Sequence, residues 1–357
     1  MKYDFTTLLN RKGHDALALD VLPIKDVEVD PNFSTIPMWV ADMNYPVFEN
    51  IQKQMIERIN EPHFGYFEMP EDYYKAIQFW QKETHGIDVE KEAIGYENGV
   101  LGILSSALEA FSASGEPILV QSPCYIGFIH TLNNFGRKII DSPLKKEENW
   151  AMDYEDIEKK IIKHNIHFAI FCSPHNPTGR VWKKEEIQKF MDICKKHDVL
   201  VFSDEIWSDL VRKENTHIPT QSISEDAKKR TIAAYAPSKT FNLASMMISN
   251  IFIPNPELRR KFRKQLDAAG ISQLGVLGLV ATEANWLAGR APTGAEEVWA
   301  RTRYKQQEQV AVVYPIGNDS FRLEFAKPQR AVAPGQAVVI YRGDVVVAGG
   351  TIAQVLR

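Results

Sequence analysis

From residue 117 to residue 254 short apolar runs alternate with helical ones, and this alternation constrains the fold more than any other feature of the chain. The spacing predicts strands over 117–121, 138–140, 167–172, 199–203 and 231–235, with another apolar run over 246–254. Amphipathic helical stretches over 154–164 and 184–197 lie between them. Strands that alternate with helices build a mostly parallel sheet covered by helices. Ligands of such sheets bind beyond the carboxyl ends of the strands. Tyr125, Asn176, Asp204 and Lys239 each stand just after one of these apolar runs. One fold therefore brings all four to one crevice.

Lys239, in Ala236-Pro237-Ser238-Lys239-Thr240-Phe241-Asn242, stands between two apolar runs. Burial lowers a lysine pKa and makes its amine a nucleophile near neutral pH. Schiff-base chemistry with an aldehyde cofactor needs such an amine. The plainer alternative is a lysine that snorkels at a strand end. The neighbouring positions suit the chemistry. A carboxylate such as Asp204 keeps a pyridinium nitrogen protonated. A ring such as Tyr125 can stack on that cofactor, and an amide such as Asn176 can donate to its phenolic oxygen. Glu97-Asn98-Gly99 feeds a helix that starts at Val100 and Leu101, and its free N–H groups form a ready phosphate site. The Ser238 hydroxyl can add to it.

Residues 1–50 hold few periodic segments and read as an N-terminal arm with an apolar run over 36–43. Helical spacing recurs over 51–59, over 71–84 (Tyr73, Ile77 and Trp80 on one side), and over 100–111 (Leu101, Leu104, Leu108 and Phe111). It recurs again over 256–268 and 271–285. From Trp286 the texture changes. Short strand-like runs at 301–304, 309–313, 320–325, 337–341 and 344–347 are separated by Gly/Pro turns, the pattern of a small barrel or sandwich. The basic residues change type at the same place, with 24 Lys and 9 Arg before residue 285 and 2 Lys and 7 Arg after it. Residues 285–357 carry +3 and the remainder −7. No run approaches the roughly 18 apolar residues of a membrane span. The N-terminus has no apolar core of a secretion signal. Cys124, Cys172 and Cys194 lack metal spacing and suggest reduced thiols in a cytoplasm.

Residues 1–284 resemble the pyridoxal-phosphate enzymes of the class I/II aminotransferase fold, and within them the cystathionine β-lyase-like carbon–sulfur lyases. The resemblance is carried by Pro37-Met38-Trp39-Val40-Ala41-Asp42-Met43, Asn98-Gly99-Val100, Ser122-Pro123-Cys124-Tyr125, Ser173-Pro174-His175-Asn176-Pro177-Thr178-Gly179, Ser203-Asp204-Glu205-Ile206 and the Lys239 string. It implies pyridoxal 5'-phosphate as cofactor, with Lys239 as its Schiff-base lysine and Asp204 as ring-nitrogen partner. Asn176 becomes the O3' donor and Tyr125 the stacking ring. Val100, Leu101 and Ser238 would hold the phosphate, and Ala41, Asp42 and Asn176 would border the substrate. Tyr66, in Phe64-Gly65-Tyr66, would reach the phosphate of a neighbouring subunit, since the resembled site lies at a homodimer interface. Ser245 stands where the family string usually has glycine, and would crowd a left-handed backbone. Met247 replaces an arginine usual in the aminotransferases.

The tail resembles a different family. Arg301-Thr302-Arg303-Tyr304, the run from Pro328 to Val338, and Ala348-Gly349-Gly350 are similar to the C-terminal β-barrel of tRNA-specific 2-thiouridylases. The ATP loop and cysteine pair of that family are absent, so no thiolation activity follows. The expected fold is α/β: a mostly parallel, helix-covered sheet (51–284) after an arm (1–50), followed by a small all-β barrel (285–357). The expected reaction is α,β-elimination on cystathionine or another cysteine S-conjugate, with turnover weakened or lost for want of the lyases' usual C-terminal small domain while cofactor binding survives. An aminotransferase is the alternative. A non-catalytic fusion whose barrel contacts tRNA is the third reading, though +3 is a thin basic surface for nucleic acid. In the resembled lyases a further small domain supplies the arginine that holds the substrate carboxylate. Arg322, in Ser320-Phe321-Arg322-Leu323-Glu324-Phe325, is the one tail residue with a faint likeness to it, and the flanking residues favour a plain barrel-strand arginine.

Overall fold

The computed structural model describes residues 3–22, 30, 32, 36–63, 69–268, 276–302, 308–329, 332, 335 and 336–356. Two units separate by their contacts, Met1–Gln265 and Leu266–Arg357.

The first unit is built on seven strands: β1 (Ile94–Asn98), β2 (Pro117–Val120), β3 (Lys138–Asp141), β4 (Phe168–Cys172), β5 (Leu200–Asp204), β6 (Thr231–Tyr235) and β7 (Ile248–Phe252). Their order is β1-β7-β6-β5-β4-β2-β3. All neighbours are parallel except β7, which runs antiparallel to both β1 and β6. The start of β7 therefore lies at the same edge as the end of β6, and the Lys239 turn joins them there. β4 and β6 are buried along their whole length. That is why they read as continuous apolar runs rather than alternating ones. β1 was not evident from the sequence, because Ile94-Gly95-Tyr96-Glu97-Asn98 is short and mixed in polarity; pairing with β7 makes it a strand.

Helices cover the sheet. Tyr154–His164 and Lys184–Lys196 pack Ile157, Ile161, Ile187, Phe190, Met191 and Cys194 onto Leu119, Phe171 and Val201 of the strands. The Asp153 side chain caps the first of these helices, accepting from the Asp156 N–H at 3.2 Å. Glu71–His85 sets Ile77, with Tyr73 and Tyr74, against Ile94, Ala233, Tyr235 and Phe252. In Val100–Phe111 the buried stripe is Val100, Ile103, Leu104, Ala107 and Leu108. Leu101 and Phe111, expected on that face, are half-buried, because the helix is covered one position round from the leucine row. Glu49–Asn60 buries none of its residues, and Ile59 is 63% exposed.

The second unit is a closed antiparallel barrel of β8 (Val276–Trp286), β9 (Glu296–Arg301), β10 (Gln309–Pro315), β11 (Ser320–Gln329), β12 (Ala337–Arg342) and β13 (Val345–Leu356), in the order β10-β11-β8-β13-β12-β9. Alternate residues fill its interior, among them Leu279, Ala281, Val298, Phe321, Leu323 and Ile340. At Gly350 an added Cβ would stand 2.9 Å from the Thr282 carbonyl oxygen, so the approach of β13 to β8 requires glycine.

Two sequence expectations are corrected here. The helix expected over 271–285 is strand β8 from Val276 onward, paired to β11 on one side and β13 on the other. Residues 276–281 are apolar or glycine throughout, so periodicity could not separate helix from strand. The junction placed between 284 and 285 consequently falls inside β8. The strand expected over 301–304 lies earlier, at Glu296–Arg301; residues 303–307 are outside the described residues. The other four expected tail runs are strands, as read.

Candidate active site

The strand ends deliver the expected residues to the carboxyl edge of the sheet. Asp204 is the last residue of β5, and Lys239 follows its neighbour β6 in the single helical turn Pro237–Thr240. Asp204 is only 4% exposed. Burial pushes its carboxyl up to about 7. The Ile206 N–H at 3.1 Å and the Lys239 charge act against that, while the Glu205 charge adds to it. Burial lowers the Lys239 ammonium, and Asp42 and Asp204 partly restore it. Lys239 Nζ donates to the Ala41 carbonyl at 3.0 Å and lies 5.8 Å from the Trp207 ring centre. A carboxyl held up and an amine held down by their surroundings mark a place where protons move.

The segment Ala41–Met43 is brought beside the lysine by Asn242. Its amide accepts from the Met43 N–H at 3.0 Å and donates to the Met43 and Tyr45 carbonyls at 3.0 and 3.2 Å. Asn242 is left-handed, with φ 57°, a conformation asparagine tolerates. The Asp42 carboxylate is engaged by Arg11 at 2.8 Å.

Tyr125 follows β2, its ring more than a third exposed and close enough to Asp204 for that carboxylate to raise its phenol beyond what burial does. Gly127 makes room for the ring. A Cβ there would stand 2.4 Å from Tyr125 Cε1 and 2.9 Å from Leu101 Cδ1. The ring thus lies beside the start of Val100–Phe111, a helix whose N-terminus has no side-chain cap. Its first N–H groups are left for a ligand. Gly99, before it, has φ 78°. Asn176 is half-buried in the turn after β4, and its side-chain amide has no hydrogen-bond partner among the described residues. The Ser238 side chain likewise has none, in the lysine turn itself. Tyr66 lies outside the described residues. Ser245 sits in a 3-10 turn, Ala244–Met246; the left-handed residue is Met247, with φ 51°. The crowding expected at Ser245 therefore does not arise.

Behind the site stands a buried network that sequence reasoning missed. Glu205 is fully buried. Burial alone would push its carboxyl up, but donors outweigh it and hold it below the ordinary range. They are His217 Nε2 at 2.8 Å, the Tyr235 hydroxyl, Ser203 Oγ at 2.9 Å and the Thr220 N–H at 3.2 Å. Asp209 accepts from Trp80, His85 and Thr240. The one sequence signal was the Asp204-Glu205 pair at a strand end. Successive side chains point to opposite faces there, so one of the two acids had to enter the core.

Arg322 lies on β11 of the barrel, half-exposed, paired with Glu324 and 5.7 Å from the Tyr314 ring centre. It is a barrel-strand arginine, as the flanking residues implied.

An open, mostly parallel sheet with a lysine, an aspartate and an uncapped helix N-terminus at its carboxyl edge is an α/β protein of the kind that binds ligands at that edge. The chain belongs to the aminotransferase class I and II family, which it matches over residues 38–312. Residues 276–352 match the aminomethyltransferase beta-barrel domain. The two matches overlap over 276–312, and there the structure is barrel. Among similar proteins, cystathionine beta-lyase PatB of Bacillus subtilis is 38% identical over 255 residues, 71% of this chain. The chain spans 66% of the length of that relative. Protein MalY of Escherichia coli is 27% identical, over 78% of this chain and 70% of its own. Among solved structures, cystalysin from Treponema denticola, which contains a pyridoxal 5'-phosphate cofactor, is 37% identical with a TM-score of 0.70, covering 75% of this chain and 68% of its own. A PLP-bound putative aminotransferase from Clostridium difficile 630 is 34% identical with a TM-score of 0.70, covering 76% and 69%. Among the described residues no group could hold a metal ion, and no helix is long and apolar enough to cross a membrane.

Proposed function

We propose that the chain binds pyridoxal 5'-phosphate at Lys239 and catalyses α,β-elimination at the carbon–sulfur bond of a cysteine S-conjugate such as cystathionine. One observation carries the reading: Lys239 and the buried Asp204 leave adjacent strands at one edge, with their proton affinities shifted in opposite senses. The residues fit the cofactor. A buried carboxyl whose proton affinity burial has raised is ionised more readily beside a cationic partner, the unpartnered Asn176 amide calls for an acceptor, and the uncapped N–H groups at Val100 and Leu101 for an anion. When bound, the group supplies the electron sink for cleavage at the substrate Cα. Asp204 would hold the ring nitrogen's proton. Tyr125 would cover one ring face, and Ser238 would add a hydroxyl to the phosphate. Lys239 would take the Cα proton; the Cβ–S bond breaks, the thiol leaves, and pyruvate and ammonia follow on hydrolysis. Ala41, Asp42 and Asn176 would border the substrate. The cystathionine beta-lyase names of the relatives support this chemistry, and the family likeness supports a homodimer in which Tyr66 reaches the neighbouring phosphate.

The test is pyruvate release from cystathionine with no keto acid added. Release is expected in the parent and, undiminished, in Arg322→Ala, whose guanidinium is engaged by Glu324 and Tyr314. Product that appears only with added keto acid would replace the lyase by the aminotransferase. A collapse in Arg322→Ala would make that arginine part of the substrate site.

Asp204→Ala should damage turnover far more than cofactor retention. The helix N-terminus and Lys239 still hold the group, but its ring nitrogen loses the carboxylate that keeps it protonated. A fall of about 10²-fold in kcat is expected, the scale of removing one preorganised electrostatic partner. Parent-like kcat with full visible absorbance would refute the role given to Asp204.

A further inference from the structure

We propose that Asp209 is a positioning residue for Lys239, acting through the Thr240 hydroxyl. The inference rests on the cofactor-site reading and adds a residue to it.

Lys239 is carried by Pro237–Thr240, a single helical turn with no side-chain cap. So short a helix cannot hold its own geometry, because one turn repays little of the cost of its nucleation. Its shape has to come from what it touches. Asp209 supplies the contact beside the lysine: its Oδ2 accepts from Thr240 Oγ1 at 2.7 Å. The same carboxylate accepts from His85 Nε2 at 2.9 Å and from Trp80 Nε1 at 3.1 Å. Both donors stand on the helix Glu71–His85, whose Ile77 is set into the β1, β6 and β7 face of the sheet. The Asp209 side chain is 12% exposed and that of His85 3%. These are desolvated, charge-assisted bonds of the strong kind. Trp80 also meets the Phe241 ring edge-on, with centres 5.1 Å apart. The lysine turn is thereby fastened to a packed helix on one side, while Asn242 fastens its far end to the arm.

Lysine has a flexible four-carbon stem, so the aim of its amine depends on where the backbone holds its root. A displacement of about 1 Å at a reacting group can cost on the order of 10²-fold in rate. Among the described residues Asp209 makes its hydrogen bonds and ion pair with Trp80, His85 and Thr240, and none with Lys239 or another residue assigned to cofactor or substrate. Its most direct link to the lysine is through Thr240, the next residue in the turn.

The experiment compares the parent with Thr240→Val, Thr240→Ser, Asp209→Asn and the double variant Thr240→Val with Asp209→Asn. Each is loaded with pyridoxal 5'-phosphate and read three ways: borohydride-fixed label on Lys239 by mass, pH midpoint of the visible absorbance, and kcat and KM for pyruvate release. Thr240→Val removes one hydroxyl at constant shape. It should keep the label and hold KM within about twofold, yet lower kcat about tenfold and move the pH midpoint. Thr240→Ser should restore both. The double variant should be no worse than Asp209→Asn, because the two groups act in series. Parent-like kcat and midpoint in Thr240→Val overturn the proposal, and so do losses that multiply in the double variant. Should Asp209→Asn fold poorly, the valine and serine variants decide alone. A parent with no label on Lys239 would instead overturn the cofactor reading beneath it.

Discussion

Lys239→Ala should abolish both covalent cofactor attachment and elimination, the largest change expected of any substitution in this chain. The parent, loaded with pyridoxal 5'-phosphate and treated with borohydride, should carry one fixed label, on the peptide that contains Lys239. The variant should carry none, and its turnover should fall by at least about 10³-fold, because nucleophile and proton carrier are lost together. Two features single out this lysine. Burial lowers its proton affinity, and its amine has Asp204 and Asp42 as its neighbouring charges. A label that maps elsewhere in the parent, or a variant that still turns over at parent rate, would remove Lys239 from the centre of the site. Because Asp204 remains, the variant should still bind the cofactor weakly and without covalent attachment, through the helix N-terminus at Val100 and the ring stack on Tyr125.

The second large effect is on stability. His217→Leu should destabilise the first unit by about 1.5–3 kcal/mol, the cost of taking a hydrogen-bond donor from a buried carboxylate. His217 Nε2 stands 2.8 Å from Glu205 Oε2, and both side chains are essentially inaccessible to water. His217 Nδ1 is buried with no partner among the described residues, so the ring's one strong bond is to Glu205. The effect carries a pH signature. Glu205 is held below the ordinary carboxylate range, so its contribution is complete above that range and is lost as pH falls through its folded value. Taking away one donor raises that folded value, and acid unfolding should begin at higher pH in the variant. Asp204 has the opposite sign. Its carboxyl is pushed up to about 7, so it favours the fold at low pH and loses that contribution as pH rises from about 4 to 7. Urea titrations at several pH values, followed through a signal of the first unit, measure both. A loss under about 1 kcal/mol for His217→Leu at neutral pH would show that the pair contributes no more than an exposed one.

Much of this protein was determined by local sequence. Buried parallel strands are continuous apolar runs, so β2, β4, β5 and β6 could be placed, and with them the residues that follow each strand. Lys239, Asp204 and Tyr125 meet at one edge because that topology leaves them no other place. The barrel strands β10 to β13 were marked by their Gly/Pro turns in the same way. Three things were decided only by the tertiary structure. β8 is a strand because β11 and β13 pair with it; its unbroken apolar stretch fits helix and strand equally well. β1 is a strand because β7 turns back beside it. The supports of the site, Glu205 with His217 and Asp209 with Trp80, His85 and Thr240, join residues far apart in the chain. No spacing records such a bond, since a buried carboxylate takes its donors from whichever elements the packing brings within about 3 Å.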